Sequence, residues 1–331
     1  MQNILVLGGA GYIGSHTVYD LIEKRYRVVV ADSLETGHIK ALHPAGAFYH
    51  GDIRDKTFLD RIFESEHIDA VVHFAAYSIV GESMTNPLKY YDNNVHGTQV
   101  LLTSMAEHGV DKIVFSSTAA TYGEPRRIPI TEDDPTEPTN GYGATKLAME
   151  QMFKWTDIAH GIRYVSLRYF NACGARLDGS IGEDHSPETH LIPLILQAAA
   201  GMRENIAVFG TDYDTKDGTC VRDYIHVCDL ARAHTLAVQY LTNGGQSRIL
   251  NLGNGIGFTV KEVIETAEAV VGHKIPTMYT ARRAGDPAQL VASSAKARSV
   301  LGWEPKYADL DVIIKSAWNW HSQHKKGFDD K

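Results

Sequence analysis

Apolar and polar positions follow two different periodic patterns along the first half of the chain. Short runs rich in Val, Ile and Leu are separated by longer segments in which apolar residues recur at helical spacing. The predicted strands are residues 4–7, 28–31, 70–74, 112–116 and 164–168. Strands that alternate with helices in this way form a parallel, doubly wound α/β sheet, which is the predicted fold class.

The pattern changes after about residue 171, where a segment rich in Gly, Asp and Pro is followed by shorter elements. One of these elements begins with Thr259 and Glu262, spaced as a capping box at the start of an amphipathic helix. We therefore predict two domains, a sheet domain at residues 1–175 and a smaller C-terminal domain at residues 176–331.

Composition narrows the class of protein. The chain has 331 residues, of which 44% are apolar, and a net charge of −8 that gives no general attraction for nucleic acid. Its three cysteines contain no CxxC pair, so neither a disulfide framework nor a thiolate zinc site is indicated. We see no cleavable leader and no apolar stretch of membrane-spanning length, and we expect a cytoplasmic protein that binds no membrane.

A glycine-rich turn follows the first predicted strand. Gly8, Gly11 and Gly14 satisfy GxxGxxG, and a helical pattern follows. Glycines permit a tight turn and close backbone approach, which leaves the helix N-terminus free to bind a pyrophosphate. Asp32 ends the next predicted strand about 20 residues further on, where a carboxylate accepts ribose hydroxyls and repels a 2′-phosphate. The pattern predicts a Rossmann-type domain that binds NAD rather than NADP.

Two further segments are predicted to border this cofactor. Asp52 and Ile53, which lie between the predicted strands 28–31 and 70–74, are expected beside the adenine. Phe74, Ala75 and Ala76 end the next predicted strand, where small residues allow a cofactor to lie close to the backbone.

A phenol and an ammonium lie four residues apart at Tyr142 and Lys146, on one face of a predicted helix. Ser116, Ser117 and Thr118 end an earlier apolar strand, where a hydroxyl can reach the same substrate. A tyrosine has an ordinary pKa of about 10, and a nearby cation favours its phenolate form. Tyr142 is therefore a candidate base with Lys146 as its cation.

The glycine turn, the strand-end Ser/Thr and the YxxxK pair together resemble the extended short-chain dehydrogenase/reductase family. More narrowly, five segments resemble the UDP-galactose 4-epimerases of that family: residues 11–16 (GYIGSH), 80–83 (VGES), 90–94 (YYDNN), 168–171 (RYFN) and 221–227 (VRDYIHV). The similarity extends from residue 3 to about residue 325. It implies interconversion of UDP-galactose and UDP-glucose through a transient 4-ketose, with NAD kept bound. It also implies that Thr118 is the hydroxyl that orients the substrate oxygen.

The resemblance also assigns residues to the two ligands. In addition to the glycine turn and the strand ends, it implies cofactor contacts for Tyr12, Ile13, Asn93, Tyr142, Lys146 and Tyr169. It implies substrate contacts for Thr118, Tyr142, Phe170, Asn171, His190, Leu191, Phe209, Arg222, Tyr224, Arg283, Asp286 and Leu290. Arginine suits the diphosphate, because its planar fork binds phosphate oxygens bidentately. In this family a tyrosine at the position of Leu290 is associated with exclusion of N-acetylated sugars, so the leucine predicts additional activity on UDP-N-acetylglucosamine and UDP-N-acetylgalactosamine.

Two positions depart from the family pattern. Many members have lysine near the cofactor phosphates where this chain has Ser78, and asparagine where it has His190. The missing cation puts the retention of NAD in question, whereas a histidine donor can replace the amide. The other histidines show no spacing typical of metal ligands, and no metal site is predicted.

Alternative functions remain open at this point. A sugar-nucleotide dehydratase needs acids after the strand-end Ser/Thr, and Ala119 and Ala120 stand there instead. A UDP-uronate or UDP-pentose 4-epimerase is the nearest alternative, because contacts in the sugar pocket decide it. A non-catalytic NAD-sensing protein is disfavoured by the presence of Tyr142, Lys146 and Thr118.

Apolar stripes at residues 95–105 and 147–153 resemble the paired helices through which members of the family dimerise, and they predict a homodimer. The competing interpretation is that both stripes face the sheet.

Overall fold

The apolar runs of the sequence become the strands of one large sheet and two small ones. The computed structural model describes residues 1–283 and 286–329. Its strands are β1 (Asn3–Leu7), β2 (Arg27–Asp32), β3 (Ala47–His50), β4 (Ala70–His73), β5 (Lys112–Ser116), β6 (Arg163–Tyr169), β7 (Asn171–Cys173), β8 (Ile206–Phe209), β9 (Val221–His226), β10 (Arg248–Leu252), β11 (Gly257–Thr259), β12 (Thr277–Thr280) and β13 (Gln289–Leu290). Its α-helices are α1 (Tyr12–Glu23), α2 (Lys56–Glu66), α3 (Val80–Thr85), α4 (Pro87–Tyr90), α5 (Gly97–Glu107), α6 (Gly141–His160), α7 (Leu191–Ala199), α8 (Val227–Thr242), α9 (Val260–Val271), α10 (Ala295–Leu301) and α11 (Leu310–Gln323). Short 3-10 turns occur at Ile39–Ala41 and Ala119–Thr121, and a π-helical turn occurs at Tyr91–His96.

Seven parallel strands form the large sheet, in the order β10-β6-β5-β4-β1-β2-β3. The five predicted strands are confirmed as β1, β2, β4, β5 and β6, and the parallel, doubly wound fold class is confirmed with them. The chain runs outward from β1 through β2 to β3 and then returns to β4, so its direction of winding reverses between β1 and β4. Ligands of such sheets bind at the carboxyl ends of the strands beside this reversal.

Side chains of the central strand β1 alternate between the two faces of the sheet and take part in two apolar cores. Ile4 and Val6 pack with helices α1 and α8, whereas Leu5 and Leu7 pack with α2, α5 and α6. Both faces of the sheet are therefore covered, as parallel sheets require.

The second half of the chain builds a smaller unit around strand β9. This strand pairs with β7, β11 and β13, while β8 pairs with β12. Helices α7, α9 and α11 enclose a third apolar core. Helix α9 begins with the predicted capping box, in which Thr259 and Glu262 accept hydrogen bonds from each other's backbone N–H.

Two elements of the second half return to the large sheet. Helix α8 packs beside α1 on one face of the sheet, and β10 extends its edge next to β6. The division into residues 1–175 and 176–331 remains a prediction, and the sheet unit includes α8 and β10 from beyond that boundary. Within the described residues, no helix combines the length and the apolar content that crossing a membrane requires.

Candidate active site

Three motif glycines lie in the turn between β1 and α1. Two of them allow close packing of the backbone within the protein, and the third leaves space next to the turn. Gly8 has a φ of +76°, and a Cβ there would lie 2.6 Å from the backbone nitrogen of Ala75. A Cβ at Gly14 would lie 2.1 Å from the carbonyl oxygen of Gly8. A Cβ at Gly11 would have one close neighbour among the described residues, that same oxygen at 3.4 Å, and no side chain caps α1 there. The N-terminus of α1 thus has the open end that a pyrophosphate needs, and the turn fits NAD.

Asp32 stands at the end of β2, and the backbone orients both of its carboxylate oxygens. Its Oδ2 accepts a hydrogen bond from the N–H of Ala10 at 2.9 Å, and its Oδ1 accepts one from the N–H of Leu34 at 2.8 Å. Burial raises the pKa of Asp32, and these hydrogen bonds oppose that shift. The carboxylate is therefore fixed beside the glycine turn, where the ribose hydroxyls of NAD would be accepted.

The two residues predicted beside the adenine have different surroundings. Asp52 forms an ion pair with Arg54, which also contacts Asp92, and the hydrogen bond from Arg54 lowers the pKa of Asp52. Ile53 is buried against Gly97, where a Cβ would lie 2.5 Å from Cδ1 of Ile53. Asp52 thus belongs to a network of charged side chains, and Ile53 can offer a ligand its backbone rather than its side chain.

Other predicted cofactor residues also direct their side chains into the fold. The Tyr12 hydroxyl donates to the carbonyl oxygen of Gly174 at 2.6 Å, and Ile13 packs against the core on the α1 face. Phe74 and Ala75 pack against opposite cores, while Ala76 is half-buried. These positions border the glycine turn through their backbone.

The π-helical turn before α5 directs Asn94 into the interior. Its Oδ1 accepts hydrogen bonds from the N–H of Tyr77 at 2.8 Å and from Nδ2 of the predicted Asn93 at 3.0 Å. Its Nδ2 donates to the carbonyl oxygen of Tyr77 and to Oγ1 of Thr145, both at 3.1 Å. Asn94 thereby ties the segment after β4 to helix α6. The sequence analysis missed this role, because a π-helical turn shifts the helical register and hides which of two adjacent asparagines faces inward.

Thr118, Tyr142 and Lys146 meet at the carboxyl end of β5. The Thr118 hydroxyl is near enough to the Tyr142 phenol to favour its ionised form, which by itself lowers the pKa of Tyr142. The Lys146 Nζ lies 5.9 Å from the centroid of the Tyr142 ring and donates to the carbonyl oxygen of Ser116 at 2.8 Å. The side chain of Asn140 caps α6, so the helix begins just before Tyr142. The structure therefore brings together the three residues predicted to be catalytic.

Burial controls the protonation of the Tyr142 and Lys146 pair. It raises the pKa of Tyr142 to about 12, against the effect of the Thr118 hydroxyl, and lowers the pKa of Lys146 to about 7, against the attraction of Glu150. Between these values the pair holds one proton, which can stay on the phenol or pass to the amine. A further positive charge beside Tyr142 would favour the phenolate and ammonium form.

A buried ion pair joins helix α6, which carries Tyr142 and Lys146, to the neighbouring strand β6. Glu150 accepts hydrogen bonds from Arg168 through both carboxylate oxygens, at 2.9 and 2.5 Å, and from the Ser117 hydroxyl at 2.6 Å. Both charged side chains are almost fully buried. Next to Arg168, the hydroxyl of Tyr169 shares a hydrogen bond of 2.5 Å with Oγ of Ser116. The network joins β5, β6 and α6 around the site, and the sequence analysis did not identify Glu150 as part of it.

Four residues predicted for the substrate form two pairs in the smaller unit. Arg222 of β9 forms an ion pair with Asp286. The guanidinium carbon of Arg283 lies 3.8 Å from the centroid of the Phe209 ring. The two residues between Arg283 and Asp286 lie outside the described part of the chain. Both arginines are thus held by neighbours that the resemblance also assigned to the substrate.

Leu290 of β13 lies close to the carboxyl end of β5, the strand that precedes Thr118. It is paired in register with Arg222, and it packs with Phe170 against a small buried cluster that includes Ala119. Ala119 directly follows Thr118. Leu290, which is predicted to select the sugar, therefore lies in the same cluster as the neighbour of Thr118, which is predicted to take part in the reaction.

The remaining predicted substrate residues differ in accessibility. Asn171 donates from Nδ2 to the carbonyl oxygen of Asp223 at 2.9 Å. Tyr224 is only 3% exposed and packs in the core of the smaller unit, so its side chain is not accessible to a ligand on the surface. Leu191 begins α7 and is half-buried, and His190, just before it, directs its ring toward two glutamates of the same loop.

Comparison with known proteins gives consistent matches over nearly the whole chain. A family model described as the NAD dependent epimerase/dehydratase family matches residues 4–253. A UDP-glucose 4-epimerase from Halalkalibacterium halodurans is 61% identical over 325 residues, which cover 98% of this chain and 97% of that protein. A crystal structure of a UDP-glucose 4-epimerase superimposes with a TM-score of 0.98 and 55% identity, covering 99% of this chain and all of that one. The UDP-glucose 4-epimerase from Bifidobacterium longum, in complex with NAD+ and UDP, gives a TM-score of 0.93 and 40% identity, covering 99% of this chain and 100% of that one.

Proposed function

The chain belongs to the NAD dependent epimerase/dehydratase family, and from this premise we infer that it is an isomerase that interconverts UDP-galactose and UDP-glucose. NAD is its cofactor. The observation that carries the inference is that Thr118, Tyr142 and Lys146 lie together at the carboxyl ends of the parallel strands. The open glycine turn lies at the same end of the sheet. The UDP-uronate, UDP-pentose and non-catalytic alternatives are not favoured by relatives of this similarity.

The catalytic residues divide the proton chemistry at C4 of the hexose between them. Tyr142 takes the proton of the 4-hydroxyl as C4 is oxidised, and returns it as C4 is reduced from the opposite face. Thr118 holds the 4-oxygen beside the phenol, and Lys146 stabilises the phenolate with its positive charge. When bound beside the glycine turn, NAD would supply the hydride acceptor and donor for C4, so the reaction would consume no oxidant. The sugar must present its other face between the two transfers.

Replacement of the proposed base tests this function. Tyr142→Phe removes the proton-transferring oxygen and little else, so turnover of UDP-galactose should fall by a factor of about 10²–10⁴ while NAD stays bound. Tyr49→Phe is a matched control, because the Tyr49 hydroxyl bonds Glu66 at the far edge of the sheet. The assay follows UDP-glucose formation, with UDP-glucuronate tested alongside. A Tyr142→Phe variant within tenfold of the wild-type rate would refute the assignment.

We also propose that Arg222 and Arg283 bind the diphosphate of the substrate. Arginine is permanently charged and offers two parallel N–H donors to phosphate oxygens. Stacking of Arg283 on Phe209 supports this role, since a guanidinium stacked by its face keeps its N–H edge available to an anion. The pairing of Arg222 with Asp286 orients the second fork in the same unit.

Activity on N-acetylated sugars is a second proposed function, and it rests on Leu290. Its packing with Phe170 beside Ala119 supports a place in the wall of the sugar pocket. Leucine is shorter than tyrosine and has no hydroxyl, which leaves room for an acetamido group. Reshaping a pocket wall in this way changes discrimination by about 1–3 kcal/mol, or about 5- to 150-fold.

The test compares UDP-galactose with UDP-N-acetylgalactosamine in two variants. Leu290→Tyr should lower kcat/KM for the acetylated sugar by that factor and leave UDP-galactose nearly unchanged. Leu290→Met conserves the side-chain volume and should keep both activities. Equal loss of both reactions in Leu290→Tyr, or no acetylated turnover by the wild type, would contradict the proposal.

A homodimer remains a proposal, and the structure changes the surface that supports it. Much of both predicted stripes is buried against the sheet, as Leu101, Met149 and Phe153 show. Farther along α6, Trp155 and Ile158 are 62% and 68% exposed on one face of the helix. Large apolar side chains exposed at helical spacing are typical of a helix-pairing interface.

A cytoplasmic location is likewise a proposal, based on composition.

A further inference from the structure

Four side chains with metal-binding chemistry converge on the loop that precedes α7. Glu183, His185, Glu188 and His190 each present one ligand atom, and these four atoms lie within 4.8 Å of one another. The first three take no part in the function proposed above, and only His190 was considered for the substrate.

Two of the converging atoms are buried without a well-aligned hydrogen bond among the described residues. Glu183 is 3% exposed, and its Oε1 and Nδ1 of His185 lack hydrogen-bond geometry, although the two atoms lie within ion-pair distance of each other. Glu188 is fixed by the backbone, because its Oε1 accepts from the N–H groups of Thr189 and His190 at 2.7 and 2.8 Å. A buried carboxylate oxygen of this kind is costly unless a positive charge compensates it.

The distances from His185 to the two carboxylates are close to those of a tetrahedral metal site, and the two distances to His190 are shorter. Oε1 of Glu183 lies 3.2 Å from Nδ1 of His185 and 2.9 Å from Nδ1 of His190. Oε2 of Glu188 lies 3.6 Å from Nδ1 of His185, and Oε1 of Glu188 shares a hydrogen bond of 3.0 Å with Nδ1 of His190. A tetrahedral Zn²⁺ with bonds of about 2.0–2.2 Å separates its ligand atoms by about 3.3–3.6 Å.

The set of donors selects the ion. Two imidazole nitrogens with two carboxylate oxygens suit Zn²⁺, whereas Mg²⁺ and Ca²⁺ prefer oxygen alone. Two carboxylates also balance the charge of a divalent ion. We propose that Glu183, His185, Glu188 and His190 form a Zn²⁺ site.

Neighbouring elements hold the loop in the conformation that the site requires. Nε1 of Trp320 in α11 donates to the carbonyl oxygen of Glu183 at 3.2 Å, and a Cβ at Gly182 would lie 2.2 Å from the Trp320 ring. The Tyr12 ring meets His185 edge-on, with centroids 5.9 Å apart. Such contacts orient ligands before the ion arrives.

The role of this site is structural. Four protein ligands leave no open position for a reacting water. The ion joins the start of α7, which follows His190, to α11 through Glu183 and to α1 through the contact between Tyr12 and His185. Any effect on the substrate contact of Leu191 rests on the proposed function, whereas metal binding does not.

Metal content and cobalt substitution test the site in the full-length holoenzyme. After chelation and dialysis against buffered Zn²⁺, the wild type should retain about one ion per chain. Loaded with Co²⁺, it should show the intense visible absorption of tetrahedral cobalt. Glu183→Gln and His185→Gln should each lower the affinity by more than the roughly 10- to 100-fold that loss of an outer-shell partner costs.

Two control variants exclude other ligands. Cys228→Ser removes a partly accessible thiol, and His108→Gln removes a histidine that pairs with a single carboxylate, that of Asp60. Both should bind zinc as the wild type does.

Three results would overturn the proposal. They are a wild type that binds neither Zn²⁺ nor Co²⁺, binding that both ligand variants retain, and binding that Cys228→Ser abolishes. Should the ligand variants fail to fold, the wild type decides alone, because a Tm that rises with Zn²⁺ supports the site and an unchanged Tm refutes it. Without metal, the same distances describe histidine and carboxylate ion pairs, which give no cobalt spectrum. None of these measurements depends on turnover of a sugar nucleotide.

Discussion

Neutralising Glu150 should destabilise the protein far more than neutralising an acid on its surface. Glu150 and Arg168 have side chains only 1% and 4% exposed, and they share two hydrogen bonds. Removal of one partner from such a pair leaves an uncompensated buried charge, at a cost of about 3–5 kcal/mol. Gln at position 150 can still accept from Ser117 and Arg168, so we expect Glu150→Gln near the lower figure.

The size of this effect can be measured by thermal unfolding at fixed protein and NAD concentrations. A loss of about 3 kcal/mol corresponds to a fall in Tm on the order of 4 °C for a chain of this size. Asp311→Asn is the control, because Asp311 and Lys315 form an exposed ion pair of the kind worth only about 0–1 kcal/mol.

A double-mutant cycle separates the charge from the shape of the side chains. Arg168→Met alone should also destabilise, whereas Glu150→Gln combined with Arg168→Met removes both charges and should cost less than the sum of the two single variants. If both single variants unfold within about 1 °C of the wild type, as expected for Asp311→Asn, the buried pair does not stabilise the catalytic helix and the reasoning fails.

Two further predictions concern catalysis and assembly. Because burial lowers the pKa of Lys146 to about 7, the Tyr142 and Lys146 pair carries two protons below that pH and one above it, and only the second form can hold a phenolate beside an ammonium. The kcat/KM for UDP-galactose should therefore rise about tenfold per pH unit up to about pH 7 and then level off, and a rate that falls through pH 7 would contradict this. For assembly, light scattering should show a dimer that Trp155→Glu converts to monomer and that the exposed neighbouring change Lys154→Glu leaves intact; a monomeric wild type would refute the interface.

The periodic pattern of the sequence predicts five strands of the large parallel sheet, and it does not show which elements pack against each apolar segment. Residues 248–252 form a short apolar run far from the first domain in sequence, and nothing local shows that it pairs with β6. The stripe at residues 147–153 predicts either a dimer surface or a face that packs on the sheet; Met149 and Phe153 are in the core, and the dimer remains a proposal. An apolar stripe shows that a face is covered, and only tertiary structure shows by what.

The candidate site was predictable where its chemistry depends on local spacing. Tyr142 and Lys146 lie one helical turn apart by sequence alone, and Thr118 follows a recognisable strand. Glu150 was not predictable, because a glutamate on a helix is typically solvated, and its partner Arg168 lies on a strand 18 positions away. The three motif glycines look equivalent in sequence, yet only the surroundings of Gly8 and Gly14 require glycine for the turn itself, which leaves Gly11 to the ligand.

His190 shows that a departure from a family pattern can be interpreted in two ways, one from the residue alone and one from the loop that contains it. Considered singly, it is a histidine that replaces an asparagine as a donor to the substrate. Considered with its loop, it is the last member of a Glu-x-His-x-x-Glu-x-His segment, and an asparagine there could not complete a set of two imidazoles and two carboxylates. The spacing resembles no helical metal motif, because the residues converge only when the loop folds back between Trp320 and α7. The proposal of a metal site therefore depends on the four side chains together, and the spacing of the two histidines alone does not indicate it.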